Sequence, residues 1–122
     1  MILVDTSVWV DHLRRGNSRL ADLLERNDVV MHPFIVGEIA CGSLTNRTVT
    51  LELLQQLPMS VVAEYEEVLG YVERHELHGK GIGYVDVHLL ASAVIENARI
   101  WTLDKRLGTV ARELGCALPR RN

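Results

Sequence analysis

The chain reads as an α/β fold in which a parallel sheet is covered by helices. Ile2-Leu3-Val4, three apolar residues without alternation, has the pattern of a strand buried on both faces, and Val29-Val30-Met31 and the stretch from Arg99 to Leu103 read as further short strands. Between them lie segments whose apolar residues recur at helical spacing. Turn-forming residues separate the two kinds of segment, so strand and helix alternate from one end to the other.

Each element follows from its residues. Thr6 or Ser7 supplies a hydroxyl cap for a helical segment from Val8 to Leu13, which breaks up over Arg14-Arg15-Gly16-Asn17. Ser18 caps a helix running to Arg26, with Leu20, Leu23 and Leu24 on one face. A helix from Phe34 to Leu44 has Pro33 near its first turn, where proline costs little. Thr48 to Leu57 forms a further amphipathic helix stopped by Pro58, and Val61-Val62 reads as another strand. Glu64 to about His78 predicts a long acidic helix, and Gly79-Lys80-Gly81-Ile82-Gly83 a loop. An apolar helix from Tyr84 or Val85 to Asn97 and a terminal helix from Lys105 to Leu114, ended by Gly115, complete the order. No repeat, low-complexity tract or linker divides the chain, so residues 1–122 are expected to form one domain.

Composition narrows the function. At 122 residues the chain can bury roughly two-thirds of its unfolded surface. Its 48% hydrophobic and 24% charged residues suit a soluble protein with a real core. No apolar run approaches the ~20 residues that span a bilayer, so no membrane role is expected. Met1 leads straight into a strand-like run and an acid, which predicts a cytoplasmic protein. Cys41 and Cys116 match no zinc spacing and read as thiols in a reducing compartment. The net charge of −3 is unusual for a nucleic-acid binder. Setting aside four acids for a site leaves twelve against thirteen Lys or Arg, so the total does not exclude RNA.

Those four acids carry the functional argument. Asp5 follows Met1-Ile2-Leu3-Val4, Glu38 lies within Ile35-Val36-Gly37-Glu38-Ile39-Ala40, Asp86 sits in Val85-Asp86-Val87, and Asp104 follows Ile100-Trp101-Thr102-Leu103. An ionised carboxylate is expensive to bury unless it is paired or bound to a metal. Only Asp104 has an adjacent base, Lys105. Asp5 and Asp104 fall just after strands, where open α/β sheets gather functional groups, and Asp86 lies in the first turn of its helix. The apolar flanks of Glu38 argue against a solvated face. Convergence around divalent cations accounts for all four. Oxygen-only donors suit Mg²⁺ or Mn²⁺, and phosphodiester hydrolysis is chemistry such ions serve. General acid–base catalysis supplies only ~10²–10⁴-fold, and no persuasive Ser-His-Asp or Cys-His set is present to add to it.

Other classes fit less well. A two-component receiver domain needs adjacent acids after its first strand, and Asp5-Thr6 does not supply them. A haloacid-dehalogenase-type phosphatase needs Asp-x-Asp-x-Thr, and position 7 is Ser7. A glycosidase could use paired carboxylates, but 5% aromatic residues is poor material for a sugar-stacking cleft. Gly79, Gly81 and Gly83 match neither a Walker nor a Rossmann spacing. His75 and His78 lack a third ligand, and His88 either packs or approaches substrate, with packing favoured. Arg14, Arg15 and Arg19, Lys80 in its loop, and Lys105 with Arg106 are candidate phosphate contacts, which give affinity without sequence choice. A solvated basic face is the competing reading.

The opening Ile2-Leu3-Val4-Asp5-Thr6-Ser7-Val8-Trp9-Val10-Asp11 resembles the start of PIN-domain proteins, in particular the VapC toxins of bacterial toxin–antitoxin pairs. The resemblance continues through Glu38, through Gly83-Tyr84-Val85-Asp86-Val87-His88-Leu89-Leu90-Ala91-Ser92-Ala93, and through Trp101-Thr102-Leu103-Asp104-Lys105-Arg106-Leu107. It implies a PIN-like fold with its acidic site at the carboxyl ends of the strands. Asp5, Glu38, Asp86 and Asp104 would be its catalytic and metal-binding acids, and Thr6, Ser7 and Thr102 its supporting hydroxyls. The implied activity is a Mg²⁺- or Mn²⁺-dependent endoribonuclease with one or two ions per site, cutting a tRNA or rRNA loop to leave 5′-phosphate and 3′-hydroxyl ends. It also implies a homodimer restrained by a cognate VapB-type antitoxin. Apolar helix positions such as Leu51, Leu53, Leu54 and Leu57 are candidate contacts for either. The alternative is a PIN-fold module that binds RNA or a partner with incidental or no cleavage.

Overall fold

In the computed structural model, which describes residues 1–120, three strands form one parallel sheet. They are β1 (Ile2–Val4), β2 (Val29–Val30) and β3 (Arg99–Trp101), arranged β2-β1-β3. The central strand pairs Ile2 with Val29 on one side, and Val4 with Trp101 on the other. Among the described residues seven helices surround the sheet: α1 (Thr6–Arg15), α2 (Ser18–Glu25), α3 (Pro33–Ala40), α4 (Arg47–Gln55), α5 (Tyr65–Arg74), α6 (Tyr84–Glu96) and α7 (Lys105–Glu113). Leu3 and Val4 of the central strand are buried with Leu89 and Leu90 of α6 and Leu107 of α7 in one apolar cluster. Truncating such a leucine to alanine costs about 2–5 kcal/mol, so a two- or three-residue strand is held by its side chains more than by its ladder.

Most elements match the sequence, and the departures have local causes. The first helix starts at Thr6 rather than Val8 and runs to Arg15, with Asp5 at its N-cap position. Asn17, not Ser18, caps α2 by accepting from the Leu20 N–H at 3.0 Å. The third helix ends at Ala40, short of Leu44, where the Gly42 N–H turns back onto the Ile39 carbonyl. The long acidic helix stops at Arg74, because Glu76 adopts a left-handed φ of +51°. The last strand ends at Trp101, and Thr102–Asp104 turn into the cap of α7.

Val61-Val62 is not a strand. Beside β2 the chain makes one bridge, with Met31 donating to the Pro58 carbonyl and Ser60 donating to the Met31 carbonyl, both at 2.7 Å. It cannot continue, because β2 gives way at His32 to the cap of α3. The Val61 amide goes instead to Glu96 Oε1, and both valines are exposed. A matching single bridge joins Ile100 to Ala117 on the far edge. The leucines of the 51–57 stretch divide likewise: Leu54 belongs to the core, Leu51 and Leu57 pack against it, and Leu53 is exposed.

A buried polar chain ties three of these segments together. The Phe34 N–H donates to His32 Nδ1 at 3.0 Å, which leaves His32 Nε2–H to donate to Ser92 Oγ at 3.1 Å. Ser92 in turn donates to the Val61 carbonyl at 2.9 Å. His32 is fully buried, and burial, assisted by nearby His88, pushes its pKa from 6.5 down to about 4. The neutral ring is thus the folded form. Its contribution is complete above pH 6.5 and declines as pH falls towards 4, where the unfolded chain takes the proton first. Denaturant titrations from pH 7 to 4.5 are expected to show an acid-side loss on the order of 2–3 kcal/mol from this group. His32→Asn, which keeps an N-cap acceptor, should start less stable and show a shallower acid limb. An equally steep limb in the variant would assign the loss elsewhere.

Candidate active site

The acidic site grows from the pairing of β1 with β3. Because Val4 stands opposite Trp101, the next residue of each strand, Asp5 and Thr102, emerges side by side at the carboxyl end of the sheet. Asp5 is 8% exposed, yet it makes no ion pair among the described residues. Two hydroxyls hold it instead. Thr102 Oγ1 donates to Asp5 Oδ2 at 2.7 Å, and Ser7 Oγ donates to the same oxygen at 2.8 Å. Each hydroxyl accepts a backbone N–H from the turn after β3: Thr102 from Asp104 at 3.0 Å, and Ser7 from Leu103 at 3.0 Å. This directional wiring explains why Asp5, at an N-cap position, makes no side-chain cap. Its oxygen is already engaged across the strands.

The other three acids are held by equally local donors. Thr6, in the first turn of α1, donates to Glu38 Oε1 of α3 at 2.6 Å. The Gly83 N–H donates to Asp86 Oδ2 at 2.9 Å and fixes it at the start of α6. The Leu107 N–H donates to Asp104 Oδ1 at 2.9 Å, making Asp104 the N-cap of α7. In each of the four carboxylates one oxygen is restrained, and among the described residues the second has no hydrogen bond.

Electrostatics place the four acids within reach of one another. Burial raises the pKa of Asp86 above the ordinary aspartate range, and Asp5, Asp104 and Glu38 raise it further by repulsion. The Gly83 amide only partly offsets this. No Lys or Arg among the described residues pairs with any of the four. The donor set is all oxygen and carries uncompensated negative charge, which suits a hard divalent cation. Among the described residues no three His, Cys, Asp or Glu side chains are grouped as a ready-made metal site. The carboxylates are gathered at one end of the sheet and each is oriented by its own local donor. Glu38 and Asp104 are exposed, so the apolar flanks of Glu38 misled: Ile35 and Ile39 face the core while Glu38 faces solvent.

The basic candidates divide: Arg19 and Lys105 line one cavity, and the others lie elsewhere. Arg15 is bound to Asp11 at 2.6 Å, and Lys80 pairs with Glu113 at 3.6 Å. Arg106 lies across Gly81, whose added Cβ would meet its side chain at 2.6 Å. Arg14 lines a cavity of about 390 Å³ that also includes Glu38. Lys105 borders a larger cavity beside Thr102 and Asp104, lined as well by Arg19, Trp101 and Arg112. The sequence marked Arg19 and Lys105 as candidate phosphate contacts but gave no sign that they share a cavity with Trp101 and Arg112. His88 is buried between Phe34 and Tyr84, edge to face with ring centroids at 4.7 Å from each, which is packing.

A family model described as the PIN domain matches residues 2–113. The chain belongs to the PIN-domain family. It is 47% identical over 119 residues to Ribonuclease VapC32 of Mycobacterium tuberculosis, covering 97% of this chain and 96% of that protein. Among solved structures, this PIN domain is similar to FitAcB from Neisseria gonorrhoeae, with a TM-score of 0.61, 25% identity, and coverage of 92% of this chain and 94% of that one. The M. tuberculosis toxin VapC20, described as cleaving the sarcin–ricin loop, shares the fold at a TM-score of 0.65 and 18% identity, with 89% and 94% covered. PIN-domain ribonucleases depend on divalent metal, in keeping with the all-oxygen donor set found here.

Removing one charge from this uncompensated cluster should relieve it. Without divalent ions at neutral pH, Asp86→Asn is expected to melt about 2–4 °C above wild type, since the amide oxygen can still accept from Gly83. A lower melting temperature in calorimetry would count against repulsion at Asp86.

Proposed function

We propose that this chain is a Mg²⁺- or Mn²⁺-dependent endoribonuclease, the toxin of a type II toxin–antitoxin pair, which cuts a tRNA or rRNA loop and so inhibits translation. The observation that carries the reading is the set of four uncompensated carboxylates, each restrained through one oxygen, around the carboxyl end of a parallel sheet. Its support from relatives is the 47% identity to a protein named as a ribonuclease. Residues 1–122 are read as one PIN-like domain.

Asp5, Glu38, Asp86 and Asp104 would hold one or two ions. When bound, a divalent ion lowers the pKa of water and offsets charge on the attacked phosphate. The chain's own residues do the rest. Ser7 and Thr102 fix Asp5 so that its free oxygen needs little reorganisation to meet a ligand. Thr6 does the same for Glu38 across two helices. The amides of Gly83 and Leu107 orient Asp86 and Asp104 without adding positive charge. Single-stranded loops are the accessible substrates, because their bases can be splayed from the stack.

A small nuclease of this kind needs restraint, and a VapB-type antitoxin whose tail covers the acids would provide it. Leu13 lines the cavity beside Glu38, and Val49 and Leu53 lie exposed on α4, which makes this side the proposed antitoxin face. Homodimerisation is assigned to the exposed Tyr65, Leu69, Val94 and Ile95 of the packed pair α5 and α6. Among the described residues no helix is long and apolar enough to cross a membrane, and a cytoplasmic location suits translation as the target.

Purified protein should cut labelled RNA with Mg²⁺ or Mn²⁺ and stop when EDTA is added, while Asp5→Asn and Asp104→Asn lose roughly 10²–10³-fold in rate. The same ions should raise the melting temperature of wild type but hardly that of Asp5→Asn. Cutting that persists in EDTA would refute the reading, and tight RNA binding without cutting would favour a binding module.

A further inference from the structure

A cleft of about 470 Å³ opens beside the acids and shares Thr102 and Asp104 with them. Its walls come from Arg19 of α2 and from one stretch far from it in sequence, which supplies Trp101 at the end of β3, Lys105 and Arg112 of α7, and Leu118 after the far edge bridge. The volume lies within the ~300–1,000 Å³ typical of ligand pockets. Its lining charges are Arg19, Lys105, Arg112 and Arg120 against Asp104 alone, in a chain whose net charge is −3. Cations are thus concentrated here against the overall trend. Among the described residues Lys105, Arg112 and Arg120 form no ion pair.

The cleft is also built. Arg19 places its guanidinium carbon 5.2 Å from the centre of the Trp101 ring and donates to the Pro119 carbonyl at 2.8 Å, which holds an aromatic–guanidinium pair in place. Arg112 is steadied by Thr109 Oγ1 at 3.1 Å. Gly108 lines the cleft, and an added Cβ there would stand 3.4 Å from Arg112 Nη1 and 3.8 Å from Thr102 Cγ2, so a longer side chain would take up space beside both. Thr102 joins the two regions directly, since its hydroxyl also holds Asp5.

We propose that this cleft binds one nucleotide of single-stranded RNA next to the scissile phosphate, its base on the Trp101–Arg19 stack and its phosphate against Lys105 and Arg112. Unstacked bases are bound on aromatic and guanidinium planes, and phosphates by arginine and lysine. The proposal rests on the nuclease reading and adds to it a subsite that influences which base flanks the cut.

The two readings can fail separately. Trp101 is one of two tryptophans, and Trp9 is buried at 2% exposure, so fluorescence in a Trp9→Phe background reports on the cleft. In EDTA, a mixed-sequence octaribonucleotide should quench Trp101, and Arg112→Gln should weaken binding roughly tenfold. The salt dependence should flatten by about 0.7 in logarithmic slope, because the variant neutralises one phosphate fewer. With Mn²⁺, Arg112→Gln and Gly108→Leu should raise KM several-fold with kcat nearly kept, and should shift the bases found beside cut ends. Arg74→Gln on α5, matched in charge but outside the cleft, should change nothing. Quenching without any cutting would sink the nuclease reading and leave the cleft standing. Cutting with the same KM and cut-site bases in both cleft variants would overturn the proposal. So would quenching by an acidic peptide but not by RNA, which would give the surface to a protein partner.

Discussion

Everything at the carboxyl end of the sheet depends on how the Asp5 carboxyl is held where it is nearly buried. A lysine or arginine would stabilise the charge but also occupy it. The fold uses two hydroxyls instead, each polarised by a backbone amide of the turn after β3. Charge-assisted hydrogen bonds of this kind stabilise a carboxylate without neutralising it. The same turn sets Asp104 at the start of α7, so the geometry of Asp5 and that of Asp104 are linked through three consecutive residues. Pairing of the first strand with the last brings about this link, joining chain segments almost a hundred residues apart.

Around that anchor the remaining acids are stabilised by helix beginnings. Asp86 and Asp104 lie at the N-terminal ends of α6 and α7, where unpaired amides and the helix dipole favour negative charge. Burial first, and repulsion from Asp5, Asp104 and Glu38 after it, still raise the pKa of Asp86. The site thus holds more negative charge than its surroundings compensate. That surplus is the character of the donor set on which the proposed cation binding rests.

Much of this was legible in the residue order. Asp5 and Asp104 could be placed because each follows a short strand-like segment, Ile2-Leu3-Val4 and the stretch from Arg99 to Leu103, and alternation with helices pointed to a parallel sheet. Asp86 followed from its place in the first turn of an apolar helix. Glu38 was found for the wrong reason: its neighbours are apolar, but helical rotation turns it to solvent. Val61-Val62 looked like a strand because β-branched pairs usually do, whereas the cap at His32 removes the partner ladder. Arg19 and Lys105 were legible as candidate phosphate contacts, but the cleft they share with Trp101 and Arg112 exists only once α2, β3 and α7 are packed together.

The single bridges at Met59 and Ala117 have an effect beyond the sheet they border. Each covers an outer strand with one rung of a neighbouring segment, then turns away before a ladder can lengthen. A sheet margin finished in this way offers no row of unpaired amides and carbonyls to a passing chain. Copies of the molecule are thereby denied strand-by-strand association, and self-assembly is left to side chains on helical surfaces, where contacts can be chosen residue by residue and broken again.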